Sequence, residues 1–274
     1  MGDIEEKLIK DKWISPLNLI EAQNYPQTKT KSLFCSLIKL GYLTEEDVFR
    51  FFALNSNIPF VKVSHYHLKE EVVILLDEDF CRENLVIPLF KINTSLFVAM
   101  VNPLDAQIIS NINRCTRLDV YPLLASPGDI EVALNNYWGY PKNFFDMEKF
   151  LFTQKKLSNF PLYRAKKRLP LNVSVSLKID DENVKLTSEG FFSANTFDAA
   201  EDISALGIKT SIFLPKGTKL VICFSGTESK IRGEVIYCRM ESRDYFSVGI
   251  TLLDLRQEDS DYIRRFLKPL TESG

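Results

Sequence analysis

Apolar and polar residues alternate without a break from Leu171 to Ile179, with Leu171, Val173, Val175, Leu177 and Ile179 in phase. Successive side chains of an extended chain point to opposite faces, so this pattern predicts a half-buried antiparallel strand. Asp180-Asp-Glu-Asn183 supplies a turn into a second extended piece from Val184 to Leu186. Further runs at 208–213, 219–224, 230–239 and 245–253 are punctuated by Pro215-Lys-Gly217 and Ser225-Gly226-Thr-Glu228. Within the last run, Phe246, Val248, Ile250 and Leu252 alternate again. Several short strands joined by regular turns predict a small antiparallel barrel. Tyr262, Ile263, Phe266 and Leu267 then fall on one face of a closing amphipathic helix.

The first half has a different period. Residues 4–55 are patterned for helices. Ser15-Pro16 places an N-cap before a proline at the first helical position, and Leu17, Ile20 and Ala22 follow. Leu33, Leu37, Ile38 and Leu40 form a second stripe closed by Gly41. Thr44-Glu-Glu-Asp47 resembles a capping box opening a helix through Val48, Phe51 and Phe52. Apolar faces at this spacing are read as the core of a small bundle. Beyond it, Pro59 to Val63 is extended, and residues 70–83 predict a helix. Residues 85–89 and 95–101 are β-branched and apolar around a polar turn, hence two strands. Asp105 caps a helix reaching about Arg114, 118–123 is a strand, and Ser126-Pro-Gly-Asp129 opens a last helix ending near Trp138.

The predicted fold class is therefore α+β. A helical bundle (1–57) and a small α/β sandwich (58–140) make one unit, and a β-barrel with a terminal helix (164–274) makes the other. Residues 141–163 connect them, between Gly139, Pro141 and Pro161. Phe144, Phe145, Met147, Phe150 and Leu151 make this stretch too aromatic for a free linker. It either packs one unit on the other or extends the first.

Length agrees with that division, because 274 residues at about 100–200 per domain favour two domains. A net charge of −2 argues against a nucleic-acid polymer or an anionic membrane as partner. The halves differ: residues 1–150 carry 15 basic and 20 acidic side chains, and residues 151–274 carry 19 and 16. The basic surplus gathers between Lys155 and Arg168, which makes a local anion site rather than a basic face. Cys35, Cys81, Cys115, Cys223 and Cys238 are scattered and odd in number, as expected of reduced thiols in a cytosolic protein. The start, Met-Gly-Asp-Ile-Glu-Glu, lacks the pattern of a signal peptide, and no apolar run approaches the ~18 residues of a membrane span. These features predict a cytoplasmic protein without membrane insertion. His65 and His67 stand two apart without a nearby carboxylate or cysteine cluster, so they are read as surface or turn residues; no metal site is expected.

The chemistry gathers at the entrance to the predicted barrel. Arg164 and Arg168, four apart, present two planar forks able to grip a phosphate or the O6/N7 edge of a guanine. Asp202 and Ser204, two apart on a segment read as extended, offer an acceptor and a hydroxyl on one side. Gly207 permits a close backbone approach. R-x-x-x-R followed by [DN]-x-S-x-x-G resembles the PilZ family of cyclic-di-GMP receptors, and the likeness covers about 164–270. It implies that Arg164 and Arg168 contact phosphates and guanine edges. Asp202 would accept from the guanine N1–H and amine, Ser204 would add a polar contact, and Gly207 would let the chain turn against the ligand. Tyr163 and Lys167 are accessory positions, and Tyr163 leaves one or two bound ligands open. Ser188 to Ala200 lengthens the approach to Asp202, as a loop that covers the site or recruits a partner.

The first half also resembles a known domain. Ile58-Pro-Phe-Val61, Asn102-Pro-Leu-Asp105 and Ser126-Pro-Gly-Asp-Ile130 are similar to the N-terminal domain of type II secretion and type IV pilus assembly ATPases. In some of those domains a tandem helical motif binds cyclic-di-GMP. Here Ser32 replaces the expected arginine, Phe34 a glycine and Asn55 a glutamine, while Lys12 stands at the middle glycine of the first copy. Without the arginine fork, the resemblance implies docking for this half.

Two functions follow as expectations. One is a non-enzymatic cyclic-di-GMP receptor that converts binding at the barrel into a domain rearrangement acting on a motility, pilus, secretion or signalling partner. The other is an adaptor that docks on such a machine without nucleotide. An enzyme is not expected, because no G-x-x-x-x-G-K-[ST] phosphate loop, nucleophile–base set or cofactor motif is present.

Overall fold

The N-terminal end is one helical hairpin built twice. In the computed structural model, which describes residues 3–25, 32–56, 58–139, 168–187, 190–200, 202–227 and 229–266, α1 (Asp3–Lys10) and α2 (Pro16–Asn24) are followed by α3 (Leu33–Lys39) and α4 (Glu45–Ser56). The two hairpins turn through matching bonds. Lys12 N donates to Ile9 O at 3.0 Å and Trp13 N to Leu8 O at 2.9 Å; Gly41 N donates to Ile38 O at 3.0 Å and Tyr42 N to Leu37 O at 2.9 Å. Lys12 adopts φ 59° where Gly41 adopts φ 75°. The lysine thus bears a left-handed conformation that costs an L-residue roughly 1–2 kcal/mol. Both second helices open on a reciprocal box. Ser15 N donates to Asn18 Oδ1 at 3.0 Å and Asn18 N to Ser15 Oγ at 3.2 Å. In the second copy, Thr44 N donates to Asp47 Oδ2 at 2.9 Å and Asp47 N to Thr44 Oγ1 at 3.1 Å.

Packing corrects one predicted stripe. Leu17 and Ile20 are exposed, and α2 instead buries Leu19 and Ala22. Phe34 explains its own departure from the tandem motif: it is buried, with its ring 5.8 Å from Phe51 and 5.1 Å from Phe52. A glycine there would leave a cavity in this aromatic core.

The next layer is a three-stranded sheet of β1 (Val86–Ile92), β2 (Ser95–Met100) and β3 (Asp119–Leu124), in that order. β1 and β2 form an antiparallel hairpin; β2 and β3 are parallel, joined through α7 (Ala106–Thr116). Asp105 caps α7, and Ser126 caps α8 (Pro127–Trp138). The single helix expected over 70–83 is two, α5 (Glu70–Val73) and α6 (Glu78–Asn84). Asp77 divides them, its carboxylate accepting from Asp79 N at 2.9 Å and starting the second helix.

The C-terminal unit comprises β4 (Arg168–Pro170), β5 (Ser174–Ile179), β6 (Phe192–Ala200), β7 (Ala205–Thr210), β8 (Lys219–Phe224), β9 (Lys230–Met240), β10 (Phe246–Leu252) and α9 (Gln257–Phe266). β6-β5-β8-β9-β10-β7 close through the β6–β7 pairing into a six-stranded antiparallel barrel, and β4 adds to β6. Closure removes the open edges a small sheet would otherwise expose. Two expectations are corrected here. Phe192–Ala200 is a barrel strand rather than part of a covering loop. Val184 to Leu186 leaves the barrel instead of completing a hairpin within it.

That departing segment joins the two units. His67 N donates to Lys185 O and Thr187 N to His65 O, both at 2.9 Å, around a Tyr66–Leu186 bridge. Tyr66 reaches into the barrel, its hydroxyl donating to Phe213 O at 2.7 Å in a buried setting. Elsewhere along the seam, Arg50 Nη1 donates to Arg243 O at 2.5 Å, and the Arg243 guanidinium lies 5.1 Å over the Trp13 ring. The units therefore touch directly; the 141–163 connection lies outside the described residues.

Candidate ligand site on the barrel

β6 is the element that gathers the candidate residues. One edge pairs with β4, placing Arg168 opposite Ala200 and Pro170 opposite Asp198. Its other edge pairs with β7, placing Asp198 opposite Gly207. Thr196 holds the first edge in place. This buried hydroxyl sits in the gap between β4 and β5, 2.8 Å from Val173 N, 3.0 Å from Val173 O and 3.3 Å from Leu171 O. The alternating run predicted from Leu171 to Ile179 therefore forms a strand only from Ser174, and residues 171–173 make the gap between β4 and β5.

Asp202 and Ser204 occupy the tight connection from β6 to β7, not an extended segment. Asp202 Oδ1 accepts from Ser204 N at 3.0 Å and from Ser204 Oγ at 2.6 Å. Such a side-chain-to-backbone closure two residues on is the turn chemistry of Asp. Between them Ile203 is fully buried at φ 58°, a left-handed conformation that a β-branched residue adopts only under strong constraint. The constraint is visible: Ile203 N donates to Ala200 O at 2.8 Å, and Leu252 N donates to Ser204 O at 2.9 Å. The turn thus presents the exposed Asp202 carboxylate and the half-buried Ser204 hydroxyl as one acceptor–hydroxyl pair.

Gly207 lies within β7, opposite Asp198 on one side and Gly249 on the other. A Cβ there would stand 2.1 Å from Asp198 Oδ1 and 2.6 Å from Phe197 Cζ. The missing side chain is therefore filled by the chain's own carboxylate and ring. Close approach is required of this glycine, and it is β6 that makes the approach.

Arg168 contributes its backbone to β4; Tyr163, Arg164 and Lys167 lie outside the described residues. The sequence reading did not single out Thr196, Phe197 and Asp198. A usable signal was the period-two spacing of Phe192, Ala194 and Thr196, the last two buried in the barrel. Elsewhere, the described residues contain no group of three or more histidine, cysteine or acidic residues suited to a metal. Their cysteines are free thiols, and burial pushes those of Cys81 and Cys238 up to about 12. No described helix is long and apolar enough to cross a membrane.

Comparison with known proteins bears on the first half. Residues 56–143 match the MshEN domain family, over a span that includes the Pro59, Asn102–Asp105 and Ser126–Ile130 motifs. The type IV pilus assembly ATPase PilB of Myxococcus xanthus (strain DK1622) is 23% identical over 137 residues, which are 50% of this chain and 24% of that protein. The chain thus spans about a quarter of the length of this relative. Among solved structures, that of MshE with cdg is 21% identical, covering 50% of this chain and all of the other with a TM-score of 0.42. The N-terminal domain of XpsE is 21% identical, covering 50% of this chain and 94% of that one at 0.37. The segment 56–143 is accordingly an MshEN domain.

Proposed function

We propose that this chain is a non-enzymatic receptor for cyclic-di-GMP. The barrel binds the nucleotide, and the MshEN-bearing half acts on a pilus, secretion or motility machine in the cytoplasm. The observation that carries this reading is the role of β6. It sets the strand beginning at Arg168 alongside the end of β6 from which the Asp202–Ser204 turn departs. A dinucleotide with two phosphodiester charges and two guanines needs cationic forks and an acceptor–hydroxyl pair within one span. Arg164 and Arg168 supply the forks; Asp202 and Ser204 supply the pair.

The direct seam defines what the ligand acts on. Because the units already touch through Tyr66, Leu186 and Arg243, binding at β4 and the β6–β7 turn changes an existing interface, a hinge-type transition. A nucleotide-independent adaptor is the second reading, and the same seam favours it, since it joins the units through the chain's own groups.

Calorimetric titration of cyclic-di-GMP into the full chain and into an Arg164→Ala/Arg168→Ala variant tests this. Each good arginine–guanine contact is worth about 1–3 kcal/mol, so losing two should weaken binding by roughly thirty-fold to about twenty-thousand-fold. No binding to the unaltered chain would leave the adaptor.

A further inference from the structure

Farther along β6 and β7 from the Asp202–Ser204 turn, β4, β6, β7 and the end of α9 line an open cleft of about 680 Å³, with Pro170, Asn172, Asn195, Phe197, Lys209 and Phe266 among its walls. We infer that this cleft is the base-stacking subsite for one guanine of the dinucleotide, with Phe197 as its platform. The inference rests on the receptor reading and specifies how that site holds a base.

The platform is built. The β6–β7 register shifts between Thr196 and Asp198, and the residue that the shift releases is Phe197. A bulge of this kind re-aims a side chain that regular pairing would hold in line. The ring, half-buried, settles into the space Gly207 leaves empty, and it also lines the cleft. A ring seated in this way offers a stacking surface at little cost in rotamer freedom.

Around the platform lie the polar groups a nucleotide needs. Asn195 and Lys209 are register partners across β6 and β7. The Ser174 hydroxyl donates to Asn195 Oδ1 at 2.9 Å, which orients that amide. The Lys209 ammonium lies 4.9 Å over the Tyr245 ring, a contact that holds a cation in place. Phe266 is 43% exposed at the end of α9 and gives the cleft a second aromatic wall. Aromatic surface, amides and one cation make a site for a base and its adjoining phosphate.

The position suits the rest of the motif. Pro170 is two residues along β4 from Arg168, and Lys209 is two residues along β7 from Gly207. Two strand residues span roughly 7 Å, so one bound molecule reaches both the cleft and the arginine-bearing strand.

Titration of cyclic-di-GMP into the full chain and into Phe197→Ala, Phe197→Leu, Phe197→Tyr and Phe266→Ala variants tests the assignment, with thermal unfolding recorded for each. Stacking on an aromatic ring predicts a loss of about 5- to 100-fold for Phe197→Ala. Phe197→Leu should lose nearly as much, because it restores bulk without a ring, and Phe197→Tyr should stay within a few-fold of the unaltered chain. Phe266→Ala, at an exposed position, should fold normally and weaken binding several-fold. Unaltered affinity in Phe197→Leu and Phe266→Ala, with the unaltered chain binding tightly, would overturn the subsite while leaving the receptor reading standing. Absence of binding to the unaltered chain would overturn both.

Discussion

The guanidinium of Arg243, on the connection between β9 and β10, donates to the carboxylate of Asp47, the residue that closes the capping box of α4. Asp47 is 6% exposed, so this ion pair ties the barrel to a buried helix start in the other unit. Asp47 has two duties: its Oδ2 accepts from Thr44 N while its Oδ1 takes Arg243.

Replacing Arg243 with alanine should loosen this seam while preserving both folds. The arginine is half-exposed, so solvent screens the pair and the loss should be about 1 kcal/mol. Urea unfolding and the distance between spin labels on the two units would measure it. An unchanged distance distribution would mean that the pair holds nothing together.

Tyr66→Phe isolates the second part of the seam. The substitution removes only the hydroxyl and leaves the buried Phe213 carbonyl without that donor. The expected cost is about 1–3 kcal/mol, read from chemical unfolding of the full chain. A shift below a few tenths would show that water replaces the hydroxyl.

Gly207→Ala should be costly out of proportion to one methyl group. Phe197 and the Asp198 carboxylate both occupy the space its Cβ needs, and both belong to a paired strand. Overpacking of this kind costs about 1–3 kcal/mol. Thermal unfolding reads that cost, and the same variant should weaken cyclic-di-GMP binding because its platform has moved. Unaltered stability would mean that β6 yields easily at its bulge.

Asp202→Ala should weaken cyclic-di-GMP by about ten-fold or more, since one bidentate contact to a base is worth about 1–3 kcal/mol. It also frees Ser204 from the turn. Asp202→Asn keeps an acceptor for Ser204 and for a base, as the [DN] position of the motif allows, so it should keep the turn and lose far less affinity than the alanine. Equal affinity for all three forms in calorimetry would remove Asp202 from the site.

The seam should also respond to pH. Burial pushes the His65 imidazole below the usual histidine range; Lys62 and Arg50 add to the shift, while Asp129 and Glu46 oppose it. An unfolded histidine titrates near 6.5, so below that pH the unfolded chain binds more protons than the folded one. The stability that neutral His65 contributes is therefore complete above about pH 6.5 and is lost as pH falls through the lower folded value. Urea midpoints measured from about pH 7 to about pH 5 should decline, and His65→Gln should flatten part of that slope. An identical slope in the variant would assign the decline to other groups.

Local chemistry was legible in the chain, and pairing was not. The cap at Ser15, the pairing of Thr44 with Asp47, and the caps Asp105 and Ser126 are contacts within four residues, so local spacing specified them. Runs bounded by turn residues located the strands at 219–224 and 230–240, and alternation that at 246–252, for the same reason, since each signal lies within one segment. The acceptor and hydroxyl of Asp202 and Ser204 were likewise legible as a motif, although a turn rather than an extended segment brings them together. Tertiary structure decided the rest. Whether Phe192–Ala200 is a loop or a strand depends on β4, β5 and β7, and the register shift that releases Phe197 exists only within that pairing. Leu17 and Ile20 are as apolar as Leu19, but only the neighbouring helices settle which of them is covered. Val184 to Leu186 has the pattern of a barrel strand, yet its partner is Tyr66, more than a hundred residues away in the other unit. Periodicity identifies a face that must be buried; the element that buries it is a long-range choice, made by loop closure and packing across the whole chain.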